Sequence, residues 1–306
     1  MKKQYIVIAG ALVVVVAVAA GIVFTVGRGG SPAHVRTAPE GILVSPAWVQ
    51  ERAGEVTVFD IGRSFDDFAD GHIPGAAWVD RSIIAANVDG VSNVLPDPEV
   101  VAADLEELGL RADTPVVVYD AGAGTWSSRL FWALEYIGHE QVHLLDGGFA
   151  TWRASGAEVS TEIALPGRGE FTASVRPGLL ASFEEVVGFI DSDSALILDA
   201  RSPDEFAGTD VRAARGGHIP GSVNIDWVNN RAEDGLFLSI EQLAAVYRDA
   251  LDGRNGPAIT LCQGGFRAAH SYVALRVLGH EDARMYDGSW AEWGNRDDAP
   301  ISQGGN

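Results

Sequence analysis

The residue with the clearest capacity for covalent chemistry is Cys262, the single cysteine among 306 residues. It follows the apolar run Ala258 to Leu261 and precedes the loop Gln263-Gly264-Gly265-Phe266-Arg267, after which a helix is expected from about Ala268. Two glycines allow a tight turn whose N–H groups face the sulfur, and the start of a helix adds positive potential. Because Arg267 adds a fixed positive charge, this setting favours a thiolate nucleophile over an inert buried cysteine.

A second candidate is Arg201, in the segment Asp199-Ala200-Arg201-Ser202, which also ends an apolar run. A guanidinium at the end of a strand could hold an anionic substrate. The structural alternative is a salt bridge from Arg201 to Asp204 or Glu205, and the sequence does not decide between the two roles.

Neither a metal nor a cofactor is expected. The H-E-x-x-H pattern of His139 to His143 would need a helix to bind zinc, but a strand-like run follows Gln141. The glycines of Gly122-Ala123-Gly124 follow a strand, as in a dinucleotide fingerprint, yet Ser127 stands where the third glycine belongs. A lone cysteine also excludes an intrachain disulfide, a four-thiolate zinc site and an iron–sulfur cluster.

The elements that must position Cys262 occur twice in the chain. Gly71-His72-Ile73-Pro74-Gly75 recurs as Gly217-His218-Ile219-Pro220-Gly221, and the segment 146–152 recurs at 287–293. This repetition predicts two homologous domains, 41–157 and 178–300, joined by a linker at 158–177. Because each half has a His in this motif while only one has a cysteine, we predict a structural turn role for His72 and His218.

Within each half, short apolar runs alternate with helical patterns. The runs Val56 to Asp60, Val116 to Tyr119, Ala195 to Asp199 and Ala258 to Leu261 suit buried parallel strands. Asp97 with Pro98 predicts one helix start, and Ser239 with Gln242 predicts a capping box at another. The fold class is therefore α/β, with a mainly parallel sheet flanked by helices in each domain.

Charge and the N-terminal segment bear on partners and compartment. The formal charge of −20 repels phosphate backbones, so no nucleic acid partner is expected. Lys2 and Lys3 precede an uncharged stretch from Tyr5 to Val26, long enough for a membrane anchor, although a cleavable export signal also fits. We expect residues 1–27 to meet a membrane, residues 28–40 to form a spacer, and both domains to lie outside the cytoplasm, anchored or exported.

The motifs as a set resemble those of the two-domain rhodanese family, the thiosulfate and 3-mercaptopyruvate sulfurtransferases. Cys262 to Arg267 is similar to the family's cysteine loop, and Asp287-Gly288-Ser289-Trp290-Ala291-Glu292-Trp293-Gly294 is similar to its C-terminal signature. The resemblance covers residues 41–300. It implies that Cys262 carries sulfur as a persulfide from a small sulfur donor to a thiophilic acceptor such as cyanide or a thiol. The substrate-binding residues that follow from it are Gln263, Gly264, Gly265, Phe266, Arg267, Ala268 and Arg201.

The family pattern also implies that the first domain is inactive. Its loop begins Asp120-Ala121-Gly122-Ala123-Gly124, and a carboxylate at the position of Cys262 is a poor sulfur acceptor, so Asp120 is expected to be structural. Relatives that use 3-mercaptopyruvate carry an arginine where this chain has Glu205. Thiosulfate is therefore the expected donor, because an acidic side chain would repel the carboxylate of mercaptopyruvate.

The sequence leaves three other functions open. A 3-mercaptopyruvate sulfurtransferase and a non-catalytic, extracytoplasmic sulfur-binding module share the same motifs. Cell-cycle phosphatases share the fold, but the resemblance implies a loop one residue longer than the four residues between Cys262 and Arg267.

Overall fold

The computed structural model describes residues 41–163, 167–190, 192 and 194–304. The expected membrane or signal segment at 1–27 and the spacer at 28–40 lie outside the described residues. Among the residues that are described, no helix is both long and apolar enough to cross a bilayer.

Two α/β halves follow one another along the chain. The elements of the first half are β1 (Leu43–Val44), α1 (Pro46–Glu51), β2 (Thr57–Ile61), α2 (Phe65–Ala69), β3 (Ala77–Val79), β4 (Ala86–Val88), β5 (Val91–Val94), α3 (Pro98–Glu107), β6 (Val116–Tyr119), α4 (Thr125–Tyr136), β7 (Val142–Leu145) and α5 (Gly148–Ala154). Those of the second half are α6 (Phe183–Gly188), β8 (Leu196–Asp199), α7 (Pro203–Ala207), β9 (Val223–Asn224), α8 (Ile240–Leu251), β10 (Ala258–Leu261), α9 (Phe266–Val277), β11 (Ala283–Met285) and α10 (Ser289–Trp293).

Each half is built on its own parallel sheet. In the described part of the chain, the first sheet has the strand order β1-β7-β6-β2-β3 and the second has the order β11-β10-β8-β9. In the second half, the position of β1 is taken by a single parallel bridge between Leu180 and Met285. The strands β6 and β10, which precede Asp120 and Cys262, are buried at every residue, as expected for strands covered by helices on both faces.

The predicted helix starts are confirmed. Asp97 caps α3 by accepting the N–H of Glu99, and Ser239 and Gln242 form both hydrogen bonds of a capping box at the start of α8. Helix α9 begins at Phe266, two residues before the expected start at Ala268. The reason is that Gly265, with φ of +87°, ends the turn and lets the next residue enter the helix directly.

The helices α4 and α9 pack against each other between the two sheets and join them into one apolar core. Phe131 and Leu134 of α4 belong to the same buried cluster as Val273 and Leu275 of α9. The two loops that precede these helices are therefore brought to the same region of the molecule, next to the boundary between the halves.

Candidate active site

Cys262 lies at the carboxyl end of β10 and is 1% exposed. Its backbone is held by α10 and the turn before it: the Cys262 N–H donates to Ser289 Oγ (3.2 Å), and its carbonyl accepts the N–H of Trp290 (2.9 Å). The next carbonyl, of Gln263, accepts the N–H of Ala291 (2.8 Å). The C-terminal signature thus supports the backbone of the cysteine loop.

Both glycines of the loop lie close to side chains of the first half. A Cβ on Gly265 would lie 2.7 Å from Arg129 Nη1, and the left-handed backbone of Gly265 disfavours any other residue. A Cβ on Gly264 would lie 3.1 Å from the side-chain nitrogen of Asn93, which belongs to the first half. The loop is therefore packed between its own half and side chains of the other one.

Arg267 is paired with Glu205 in a bidentate salt bridge of 2.6 and 2.8 Å. Burial by itself would raise the pKa of Glu205, but the hydrogen bonds and charge of Arg267 outweigh it and lower the pKa to about 2. Burial opposes the charge of Arg267 as well, yet Glu205 and Cys262 together raise the Arg267 pKa. The positive charge expected beside Cys262 is present, and a buried carboxylate neutralises much of it.

The structure places the other predicted loop residues as follows. Gln263 donates through Nε2 to the carbonyl of Arg212 (3.2 Å), while its Oε1 is buried without a hydrogen-bond partner among the described residues. The centre of the Phe266 ring lies 4.2 Å from the centre of the ring of Trp126, a residue of the first half. Ala268 is fully buried in the first turn of α9.

Arg201 does not reach the space beside Cys262 as a free cation. It is 1% exposed and forms a bidentate pair with Asp199, at 2.9 and 2.6 Å, while it also donates to the Gly217 carbonyl. Its guanidinium lies 4.2 Å from the centre of the Trp290 ring. The predicted substrate contact is thus replaced by a structural ion pair, and the partner is Asp199 instead of Asp204 or Glu205.

The loop of the first half is filled by its own carboxylate. Asp120 Oδ1 accepts the N–H groups of Gly122 and Gly124 at 2.8 and 3.0 Å. Asp120 Oδ2 accepts the N–H groups of Trp126 and Ser127, both at 3.2 Å. This loop is one residue longer than that of Cys262, because the glycine that precedes the helix is four residues after Asp120 but three after Cys262. The carboxylate of Asp120 is thus the anion that the N–H groups of this loop bind.

The paired histidines of the Gly-His-Ile-Pro-Gly motifs have structural roles, as predicted. His72 stacks on Phe68 and bonds to its carbonyl at 2.8 Å, and His218 does the same with Phe206 at 2.9 Å. A histidine that the sequence reasoning missed, His270 on α9, is buried. Burial, together with the charge of Arg231, lowers its pKa to about 3, so it is neutral at physiological pH.

Several residues near Cys262 carried no signal in the sequence. Arg212 is 52% exposed, lies 3.5 Å from Glu205, and is held beside the loop through Gln263. Asn93 and Trp126 reach the loop from the other half. Their distance along the chain hides this proximity, since spacing patterns report only on neighbours within one element.

The comparisons with known proteins agree with this geometry. The model of the Rhodanese-like domain matches residues 45–155 and again 182–296. The chain belongs to the rhodanese family. A thiosulfate sulfurtransferase of Azotobacter vinelandii is 33% identical over 262 residues, covering 85% of this chain and 96% of that protein. A Thermus thermophilus protein named sulfur carrier protein TtuD is 32% identical, covering 86% of this chain and 97% of its own.

A solved structure supports the same assignment. The crystal structure of SseA from Escherichia coli, described as a 3-mercaptopyruvate sulfotransferase with the rhodanese fold, matches with a TM-score of 0.73 and 28% identity, covering 82% of this chain and 99% of SseA. This rhodanese is therefore a sulfurtransferase with two rhodanese-like domains, as the motifs predicted.

Proposed function

We propose that Cys262 of the second domain, 178–300, moves a sulfane sulfur from thiosulfate to a thiophilic acceptor, with the first domain, 41–157, and the linker, 158–177, as its scaffold. The Cys262 thiolate attacks the outer sulfur of thiosulfate, the S–S bond of the donor breaks, and sulfite leaves with the electron pair. Cyanide or a thiolate then attacks the terminal sulfur of the persulfide and releases the Cys262 thiolate. The two steps balance without a metal or cofactor.

The observation that carries this proposal is the contrast between the two loops. In the first domain the N–H groups of the loop and of the first turn of α4 converge on the carboxylate of Asp120. In the second domain the residue at the end of the matching strand is Cys262, so a thiol stands where a carboxylate fills the loop. The N–H groups of that loop, from Gly264 to Ala268, would then stabilise the negative charge of a persulfide one atom further out.

Donor selection follows from the arginines near the loop. Glu205 is 1% exposed and paired with Arg267, so it does not present a free negative charge to the donor, and the repulsion expected from the sequence is not its role. It instead occupies Arg267. Arg212, beside Gln263, pairs with Asp210 at 2.7 Å and lies 3.5 Å from Glu205, but its side chain is half exposed and a dianion such as thiosulfate could still approach it. The relatives named thiosulfate sulfurtransferase support the same donor, and 3-mercaptopyruvate is the alternative.

The test is cyanolysis of thiosulfate by the wild type and by Cys262→Ser. The hydroxyl of serine is nearly isosteric, so the variant should fold but should not transfer sulfur. After exposure to thiosulfate, the mass of the wild type should rise by one sulfur atom and that of Cys262→Ser should not. Thiocyanate formation by the variant, or a gain of sulfur on it, would reject Cys262 as the carrier. A wild type that gains sulfur but forms no thiocyanate would indicate a sulfur-binding module.

We also propose that residues 1–27 anchor the enzyme in a membrane, or direct its export, and that both domains lie outside the cytoplasm. The support is in the sequence: Lys2 and Lys3 precede an apolar stretch that is longer than most cleaved signals. The full chain should sediment with membranes, resist carbonate extraction, and be digested by protease added outside the cytoplasm. A soluble product that begins near Ala20 would favour cleavage, and protection from external protease would reject the orientation.

A further inference from the structure

Arg129 is a fully buried charge at the boundary between the two domains. It lies on α4 of the first domain, its side chain is 0% exposed, and it forms a salt bridge with Asp287 of the second domain. Its other nitrogens donate to two carbonyls of the first domain, Asn93 at 3.0 Å and Ile84 at 3.3 Å. Removing a guanidinium from water is costly, so the presence of a buried ion pair of this kind is only weak evidence that the pair stabilises the fold.

The ion pair lies directly against the loop of Cys262. Arg129 Nη1 would be 2.7 Å from a Cβ on Gly265, the residue that turns the loop into α9. Asp287 begins the turn whose Ser289 hydroxyl accepts the N–H of Cys262. Ser289 has φ of +49°, a costly backbone for a residue with a side chain. Arg129 therefore contacts the loop both at Gly265 and through the turn that holds Cys262.

The repeat provides an internal comparison for this contact. The equivalents of Asp287 and Arg129 under the 141-residue offset are Asp146 and His270. In each domain this aspartate accepts a backbone N–H from the opposite domain: Leu95 donates to Asp287 at 2.7 Å, and Phe237 donates to Asp146 at 2.9 Å. Both domains share this hydrogen bond, whereas the ion pair with an arginine at the offset position is formed by Asp287, beside the loop of Cys262.

The loop of the first domain, which has no cysteine, has His270 of the second domain at the position that Arg129 takes beside the loop of Cys262. His270 lies 3.1 Å from where a Cβ on Gly124 would be, and its ring stacks on Phe237 at 4.2 Å. The turn there has Gly148 at the position of Ser289, with φ of +57° and no hydroxyl to hold the strand end. Arg231 of the second domain does donate to the Gly122 carbonyl of this loop, at 3.0 Å. Among the described residues, however, the arginine–aspartate pair and the serine hydroxyl at these repeat positions lie beside the loop with the thiol.

We propose that Arg129 of the first domain is a positioning residue for Cys262, an inference that rests on the proposed role of Cys262 as the sulfur carrier. By holding Asp287 and Gly265 in one arrangement, it keeps the thiol and the N–H groups of its loop in the geometry that the persulfide needs. The first domain then contributes to the reaction even though it has no nucleophile of its own.

The experiment compares Arg129→Met, Arg129→Lys and the double variant R129M/D287N in the full chain, with Arg111→Met as the matched control. Arg111 is an exposed arginine of the same domain that pairs with Asp113. The double variant removes both charges, so it avoids the unpaired buried carboxylate that could unfold the single variant. The readouts are kcat and KM for thiosulfate, the rate of Cys262 alkylation by iodoacetamide, and the unfolding temperature.

We expect folded R129M/D287N to lose kcat by about 10- to 100-fold with KM changed by less than about threefold, because misplacing a reacting group affects mainly the chemical step. Its alkylation rate should also differ from that of the wild type, while Arg129→Lys should recover part of both and Arg111→Met should change neither. A folded double variant with wild-type kcat and alkylation rate would overturn the proposal. Alkylation of Cys262 does not require sulfur transfer, so it tests the positioning role of Arg129 even if the proposed function fails. The proposed function has its own test, because sulfur transfer by Cys262→Ser would reject it.

Discussion

Replacing Glu205 with glutamine tests the salt bridge that neutralises Arg267 in the loop of Cys262. The substitution keeps the size of the side chain and removes the negative charge that Arg267 contacts at 2.6 and 2.8 Å. Arg267 is 19% exposed, so water can solvate part of its unpaired charge in the variant. We expect a folded protein that is less stable than the wild type at neutral pH.

The size of the loss follows from the shifted pKa. The carboxyl of Glu205 titrates at about 2 in place of 4.5, which corresponds to at most about 3 kcal/mol, and we take about 2 kcal/mol after allowing for solvent screening at Arg267. Since the folded pKa lies below the unfolded value, this stabilisation is complete above the unfolded pKa and is lost as the pH falls toward 2. By pH 3 about half of it should be gone.

Urea unfolding at pH 7 and pH 3 measures the prediction as a difference between Glu205→Gln and the wild type. The difference should be about 2 kcal/mol at pH 7 and clearly smaller at pH 3. Glu107→Gln is the control, because that carboxylate is 62% exposed in its pair with Arg168 and should matter by less than about 0.5 kcal/mol. A difference that is absent at pH 7, or that stays constant with pH, would refute the role assigned to the pair.

Three further outcomes are expected. Asp120→Ala should leave the rate of cyanolysis within a few-fold of the wild type. It should lower the free energy of unfolding by about 2 kcal/mol, since N–H groups of the first loop lose their acceptor. A loss of activity of about 100-fold in a folded variant would place Asp120 in the active site. Ser289→Gly should relieve a strained backbone yet lower kcat, because the Cys262 N–H loses its acceptor. An unchanged kcat in steady-state assays would show that this hydrogen bond does not contribute to the reaction. Thiosulfate should show a higher kcat/KM than 3-mercaptopyruvate, and the reverse ratio would reject the proposed donor.

Local patterns in the sequence predict the fold and the position of the proposed nucleophile, Cys262. The repeated motifs indicate two copies of one domain, the apolar runs coincide with β2, β6, β8 and β10 to within one residue, and the caps at Asp97 and Ser239 mark helix starts. Such signals depend on residues within a few positions of each other, where backbone geometry and hydrogen bonding are set locally. The position of Cys262 between a strand and a glycine turn belongs to the same class of information.

Only the tertiary structure decides which charges meet. Arg267 and Glu205 are 62 residues apart, and Arg129 and Asp287 are 158 apart, so neither pair could be inferred from spacing along the chain. Arg201 had nearby acidic residues on its C-terminal side, yet it pairs with Asp199 at the end of β8. The physical reason is that the partner of a buried charge is set by the packing of sheets and helices from both domains, which brings distant residues together and removes the water that would otherwise solvate them.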